Sequence, residues 1–137
     1  MSDIARARLL ASEAHAGQTR KFSGSSYVAH PIRVADTVRR AGAPTFVVVA
    51  AMLHDVIEDT PVTAERIEAE FGPEVASLVR TLTRRGGEAY EDYIARIAAD
   101  PWATLIKRAD LTDNLATLPA GHDLAKRYIA ALVTLHP

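Results

Sequence analysis

Eight consecutive apolar residues, Phe46 to Leu53, run directly into His54, Asp55, Glu58 and Asp59. A run of this kind, entered through Pro44 at a first helical position, predicts a helix buried on all sides, extending from Pro44 to about Asp59. Its far end breaks a local rule. A helix C-terminus carries partial negative charge and favours Lys or Arg in its last turn, yet this one holds three carboxylates and an imidazole. Violations of this kind concentrate at functional sites, and a metal cation is the natural compensator for such a cluster.

The spacing fits that idea. His54 and Glu58 are four apart, as are Asp55 and Asp59, so the two pairs form neighbouring ladders on a helix. His54 and Asp55 are separated by about 100° around the axis, which lets both converge on an ion in a groove between helices. Glu58 and Asp59 then sit about 6 Å further along, at a distance suited to a water on the ion rather than the ion itself.

Composition narrows the function classes. The chain has 137 residues, 48% of them apolar and 24% charged, which is the profile of one soluble globular domain with a real core. A net charge of −1 gives no global footprint for nucleic acid or membrane. Basic residues do crowd the first forty positions and acids crowd Asp55 to Glu70. That asymmetry suits an anionic ligand drawn to a metal held by carboxylates, although solvated helix faces produce the same pattern. There is no cysteine, so disulfides and thiol chemistry are excluded and any metal must bind His, Asp, Glu or water. Asp3, Arg6, Arg8 and Glu13 interrupt the N-terminal stretch, which is no signal peptide. The longest apolar run is far below the roughly 20 residues that span a bilayer. A cytoplasmic protein is the expectation.

The pattern along the chain is helical throughout. An amphipathic helix runs from about Asp3 to Ala16, followed by a Ser- and Gly-rich loop that ends at His30-Pro31. A helix continues to Gly42, and the central helix follows. Thr63 is the expected N-cap of the next helix, Gly72-Pro73 punctuates before another, and Gly86-Gly87 precedes a helix carrying Tyr90 and Tyr93. Asp100-Pro101 opens a long helix through Leu118, and a last helix carries Leu124, Tyr128, Leu132 and Leu135 on one face. The prediction is an all-α fold of about seven to eight helices, as a single domain over residues 1–137.

Two further polar residues stand out. His30 lies at a loop-to-helix junction before Pro31, and Asp110 lies inside a helix, where Asp is a poor residue. Lys107, Asp110 and Asn114 share one polar stripe. Taken alone, the Lys107–Asp110 pair also reads as a surface ion pair, and His30 as a cap or a packed histidine. His15, His122 and His136 show no ligand-like spacing, and the latter two read as surface residues.

Taken together, His30, His54-Asp55 with Glu58-Asp59, and Asp110 resemble the pattern of the HD-domain metal-dependent phosphohydrolases, more narrowly the RelA/SpoT-type alarmone hydrolases and their small stand-alone relatives. Four stretches carry the resemblance in order: AHAGQTRKFSGSSYVAHP at 14–31, LHDVIEDT at 53–60, FGPEVASLVRTLT at 71–83 and KRADLTDN at 107–114. The resemblance implies one divalent ion, most often Mn²⁺ with Fe²⁺ or Zn²⁺ as alternatives, held by His30, His54, Asp55 and Asp110. It implies Glu58 and Asp59 as the catalytic pair that orients and deprotonates the attacking water. It implies Arg20, Lys21, Lys107 and Asn114 as substrate contacts. The implied reaction is removal of the 3′-pyrophosphate from guanosine tetra- or pentaphosphate by a metal-bound water. The partner is then a small-molecule nucleotide, with no nucleic acid and no membrane. A chain ending at Pro137 carries no following synthetase domain on this reading.

Three positions depart from the alarmone-hydrolase pattern: Ser26 in place of Pro, and Leu111 and Asp113 in place of Arg and His. These flank the expected substrate position, which leaves open a hydrolase of another nucleotide or pyrophosphorylated metabolite. A non-catalytic nucleotide-binding sensor is the alternative from another class.

Overall fold

The computed structural model describes residues 1–136. They are all-α, with one isolated bridge between Thr19 and Ser26 in the first loop. In order the elements are α1 (Asp3–Ala14), α2 (Ala29–Arg40), α3 (Thr45–Met52), α4 (Val56–Asp59), α5 (Ala64–Phe71), α6 (Pro73–Leu82), α7 (Tyr90–Ala98), α8 (Pro101–Thr117) and α9 (Leu124–Thr134). Eight of these have two turns or more, and α4 is a single turn.

Local chemistry sets several of the boundaries. Ser2 caps α1 by accepting from the Ala5 N–H, and Thr63 caps α5 through the Arg66 N–H. Asp100 accepts from both Trp102 and Ala103 at the start of α8, where Pro101 occupies the first turn. Gly72 joins α5 to α6 at φ +95° and ψ 168°, a region that is essentially glycine's own.

The expected central helix is present but interrupted. Residues 45–52 form α3, which is buried from Val47 to Met52, with Phe46 half-buried, and packs against α1, α2, α6 and α8. The helix does not continue to Asp59. Leu53, His54 and Asp55 form a turn closed by i→i−3 bonds, from Leu53 to Ala50, His54 to Ala51 and Val56 to Leu53. The cause is local competition. The Ala51 carbonyl would accept the Asp55 N–H in a continuous α-helix, but the His54 Nδ1–H bonds it instead at 2.7 Å. The i,i+4 ladders expected from an unbroken helix therefore do not govern this segment.

Behind the turn, the core is continuous from Ala7 and Leu10 of α1, through Val34 and Val38 of α2 and all of α3, to Val79, Ile97, Ile106 and Leu111. Tyr93 belongs to this core and donates its hydroxyl to the Leu82 carbonyl. Tyr90 packs against the core from its edge, with the Arg127 guanidinium 3.7 Å from its ring centroid. His122 is half-buried, edge-on to Phe22, while His136 is exposed. No helix among the described residues is long and apolar enough to cross a membrane.

The segment between α6 and α7 is tied down by Arg96. Its guanidinium bonds both Glu88 oxygens at 3.0 Å and reaches the carbonyls of Thr81 and Thr83. This matters for the site, because the Arg84 N–H in the same segment bonds Glu58. The Arg96 fork, helped by the Arg85 N–H, holds the Glu88 carboxyl down at about 2, below the ~4.3 of a free glutamate. A depressed native pKa contributes stability above the unfolded value and loses it as pH falls toward the folded one. Wild-type protein is thus expected to lose stability between about pH 4.3 and pH 2 more steeply than Glu88→Gln. Urea midpoints across that window measure it, and parallel curves would remove Glu88 from the acid response.

Candidate metal centre

Three segments meet at one point. His30 projects from the first turn of α2, His54 and Asp55 from the turn between α3 and α4, and Asp110 from the middle of α8. One ligand atom of each lies within 4.8 Å of the others. His30 Nε2 is 2.7 Å from Asp110 Oδ1 and 3.7 Å from Asp55 Oδ2. His54 Nε2 is 3.2 Å from the same Asp110 oxygen and 3.1 Å from Asp55 Oδ2. Both imidazoles and Asp110 are buried.

The hydrogen bonds on the outer side of this cluster fix how the rings face inward. His54 Nδ1 bonds the Ala51 carbonyl, which can only accept, so Nδ1 carries the proton. His30 Nδ1 bonds Asp113 Oδ2 at 2.6 Å. Both Nε2 atoms thus point at the carboxylates of Asp55 and Asp110. A neutral imidazole would set a lone pair against a carboxylate there, so a positive charge is required between them. Protons meet that need in the metal-free geometry. Burial opposes charge on His30, but Asp110 and Asp113 outweigh it and push its pKa up. Burial likewise opposes His54, and Asp55 and Asp110 overcome it. Burial works to raise both aspartates too. His54 and its hydrogen bond hold Asp55 down at about 2, while Lys107 and His54 hold Asp110 well below its ordinary range. A divalent ion satisfies the same demand with one charge centre, and two nitrogens with two carboxylates suit first-row divalent metals. The residues present therefore fit a metal.

Glu58 and Asp59 sit on α4, both exposed at the mouth of the cluster. Burial of the carboxyl raises Glu58 despite the bond from Arg84 N–H, and Asp55 adds to the rise. Asp59 is raised by burial and by Asp55, against the hydrogen bond from Tyr27.

The expected substrate contacts divide. Lys107 is not open to a ligand: its ammonium bonds Asp110 Oδ2 at 2.9 Å and its side chain is 12% exposed. Arg20 is also engaged, donating to Thr117 Oγ1 at 2.7 Å and Asn114 Oδ1 at 3.1 Å. Lys21 is exposed, its ammonium 5.4 Å from the Phe22 ring centroid. Arg20, Lys21, Phe22, Tyr27, Asn114 and Tyr128 line a cleft beside the cluster. The Asn114 amide is 3.5 Å from Asp110 Oδ1, which joins that cleft to the cluster.

Two of the three departures from the alarmone-hydrolase pattern fall elsewhere than expected. Leu111 is fully buried in the core, and Asp113 turns toward His30 and Arg33. Neither lines the cleft.

Three residues hold roles that their sequence positions did not assign them. Tyr27 donates to Asp55 Oδ2 at 2.7 Å and lies 3.3 Å from Asp59 Oδ2, and burial together with these carboxylates pushes its own pKa up. His15 is buried, packs at a tilt against Tyr27 with ring centroids 4.8 Å apart and bonds Gln18, which in turn holds the Asp59 carbonyl. Asp113 is the third. Its spacing of three from Asp110, matching the three between His30 and Arg33, was the available signal.

With this geometry in place, comparison with known proteins defines the class. The HD-domain family model matches residues 7–134, and the chain belongs to that family. A guanosine-3′,5′-bis(diphosphate) 3′-pyrophosphohydrolase of Aquifex aeolicus is 37% identical over 136 residues, covering 93% of this chain and 19% of its own. The bifunctional (p)ppGpp synthase/hydrolase SpoT of Escherichia coli K12 is 36% identical over 138 residues, 93% of this chain and 20% of that protein. The chain thus spans about a fifth of the length of these relatives. Among solved structures, a metazoan ortholog of SpoT described as hydrolysing ppGpp superposes with a TM-score of 0.81 at 28% identity, over 99% of this chain and 86% of that one. The Listeria monocytogenes protein lmo0812 superposes with a TM-score of 0.66 at 33% identity, over 83% and 80% of the two chains.

Among the described residues, Lys107 is the only lysine or arginine bonded to Asp110. Lys107→Met keeps the apolar stem and removes the charge. It is expected to destabilise the metal-free protein by about 3 kcal/mol, as for other broken buried pairs. Urea denaturation after chelation measures this, and an unchanged midpoint would show that the histidines alone balance Asp110.

Proposed function

We propose that this chain is a metal-dependent phosphohydrolase that removes the 3′-pyrophosphate from guanosine tetra- or pentaphosphate. The observation that carries the reading is the convergence of His30, His54, Asp55 and Asp110 within 4.8 Å, beside a cleft lined by Arg20 and Lys21. The relatives named above as ppGpp pyrophosphohydrolases supply the substrate. The proposed unit is a single domain over residues 1–137 acting in the cytoplasm, where a nucleotide substrate of this kind would be met.

In this reading His30, His54, Asp55 and Asp110 hold one divalent ion, Mn²⁺ by preference. That ion would supply Lewis acidity toward phosphoryl oxygen and acidify water. The chain's own groups do the rest. Glu58 and Asp59, whose pKa values burial raises and which are open to solvent, accept the proton of the attacking water. Water oxygen bonds to the phosphorus next to the ribose, the bond from that phosphorus to the 3′-oxygen breaks, and the 3′-oxygen takes up the proton that the carboxylate pair accepted from the water. Lys107 offsets the charge of Asp110, so that a polyanion does not face an uncompensated acidic cluster. Lys21 is the exposed cation for phosphate, and Arg20 braces Asn114 against the cleft. Leu111 and Asp113 lie behind the cleft rather than on its wall, so the departures there leave the nucleotide reading intact.

Incubation of guanosine tetraphosphate with the protein and Mn²⁺ is expected to release pyrophosphate and guanosine 5′-diphosphate in equal amounts. Release of orthophosphate, or turnover of ordinary nucleotides alone, would replace this substrate assignment. Within the site, Glu58→Gln is expected to keep Mn²⁺ and lose turnover by about 10²- to 10⁴-fold. Asp55→Ala is expected to lose both. Equilibrium dialysis against Mn²⁺ separates the roles, and metal loss in Glu58→Gln would make Glu58 a ligand instead.

A further inference from the structure

Asp113 sits one turn beyond Asp110 on α8, facing α2. Its Oδ2 is 2.6 Å from His30 Nδ1. Arg33, one turn along α2 from His30, closes on the same carboxylate with Nε to Oδ1 at 2.7 Å and Nη2 to Oδ2 at 3.0 Å. The Arg20 guanidinium lies 3.8 Å from Oδ2 on the other side. Two helices thus exchange two pairs in register: His30 with Asp110 inside, and Arg33 with Asp113 outside, joined by the His30–Asp113 bond.

This arrangement does more than stitch α2 to α8. A carboxylate held by a planar guanidinium fork is fixed in position and acts only as an acceptor. The His30 Nδ1 must then carry the proton, and the ring plane is set by a bond on its outer nitrogen. The inner nitrogen, Nε2, is left aimed at Asp55 and Asp110. Metal-bound histidines in proteins characteristically donate their second N–H to such a partner, which fixes tautomer and orientation and raises ligand basicity. His54 meets the same need with the Ala51 backbone carbonyl, which no side-chain substitution removes. His30 depends on a side chain.

We propose that Asp113, locked by Arg33, is the positioning residue that sets the tautomer and orientation of His30 for metal binding. The proposal rests on the metal-centre reading above. It gives a role to a position where this chain departs from the alarmone-hydrolase pattern it otherwise resembles. It also separates Asp113 from the substrate: the residue acts through His30, and Arg33 acts through Asp113.

Mn²⁺ titration of chelated, refolded protein by isothermal calorimetry tests this without reference to turnover. Asp113→Ala is expected to bind Mn²⁺ about 10- to 100-fold more weakly than wild type, as for other second partners of metal-bound histidines. Asp113→Asn keeps an oxygen that can accept from Nδ1 and is expected to recover most of that loss. Arg33→Gln is expected to weaken binding less than Asp113→Ala, and adding Arg33→Gln to Asp113→Ala to weaken it no further. In the Zn²⁺-loaded protein, ¹⁵N-edited NMR is expected to show a slowly exchanging His30 Nδ1 proton in wild type and in Asp113→Asn, but not in Asp113→Ala. A folded Asp113→Ala with wild-type Mn²⁺ affinity would overturn the proposal and leave the metal centre standing. Wild-type protein that takes up no Mn²⁺ would overturn the metal centre and this proposal together. Should Asp113→Ala not fold, Asp113→Asn decides the matter through the His30 proton: its absence there overturns the proposal.

Discussion

The buried contact between two imidazoles and two carboxylates is the constraint that the rest of the molecule answers. His30, His54 and Asp110 are almost without solvent, and Asp55 is nearly so. Charges placed this deep are costly unless each finds a partner. Lys107 sits under Asp110, Tyr27 donates to Asp55, Asp113 receives His30 and the Ala51 carbonyl receives His54. Lys107 and Ala51 lie three residues from the groups they serve, but Tyr27 and Asp113 come from segments that must already be folded in place. The polar centre and the apolar scaffold are therefore one problem, in which α3 supplies the rigid wall and its broken end supplies two of the four inward-facing groups.

The break after Met52 is where local and tertiary forces meet. An unbroken helix would have carried His54 and Asp55 about 100° apart on its surface. In the turn, the His54 ring folds back onto the Ala51 carbonyl and its Nε2 swings toward α8. The same turn starts α4 afresh, which presents Glu58 and Asp59 at the mouth of the cluster rather than further down a continuous rod. The acidic groups that looked like a fault at a helix C-terminus fall in the short α4, where the long run of aligned dipoles has already ended.

The cations that surround the centre are less available than their number implies. Lys107 is consumed by Asp110, Arg20 by Asn114 and Thr117, and Arg33 by Asp113. Lys21 stays exposed. Most of the positive charge near the site thus shapes it from behind, and a phosphorylated ligand meets a cleft whose walls are already braced.

Residue types and their order along the chain were enough to predict helices throughout, with caps at Thr63 and Asp100 and breaks at Gly72-Pro73, because those signals act within a few residues. The HD pair, the two carboxylates after it, His30 and Asp110 were legible as a pattern of chemistry. The turn at 53–55 was not, because it depends on one side chain outcompeting one backbone donor for the Ala51 carbonyl, and apolar periodicity is blind to that. Nor was the role of Asp113, which is 83 residues from His30 in the chain. Which cation faces a ligand and which is buried under a carboxylate is a matter of depth, and depth exists only once α2, the 53–55 turn and α8 have packed around the same point. Sequence alone determined the donor set and the helical scaffold. Tertiary structure decided the partners that reach across the chain, Tyr27 for Asp55 and Asp113 for His30, since hydrogen bonds and ion pairs between distant segments have no period for a sequence to display.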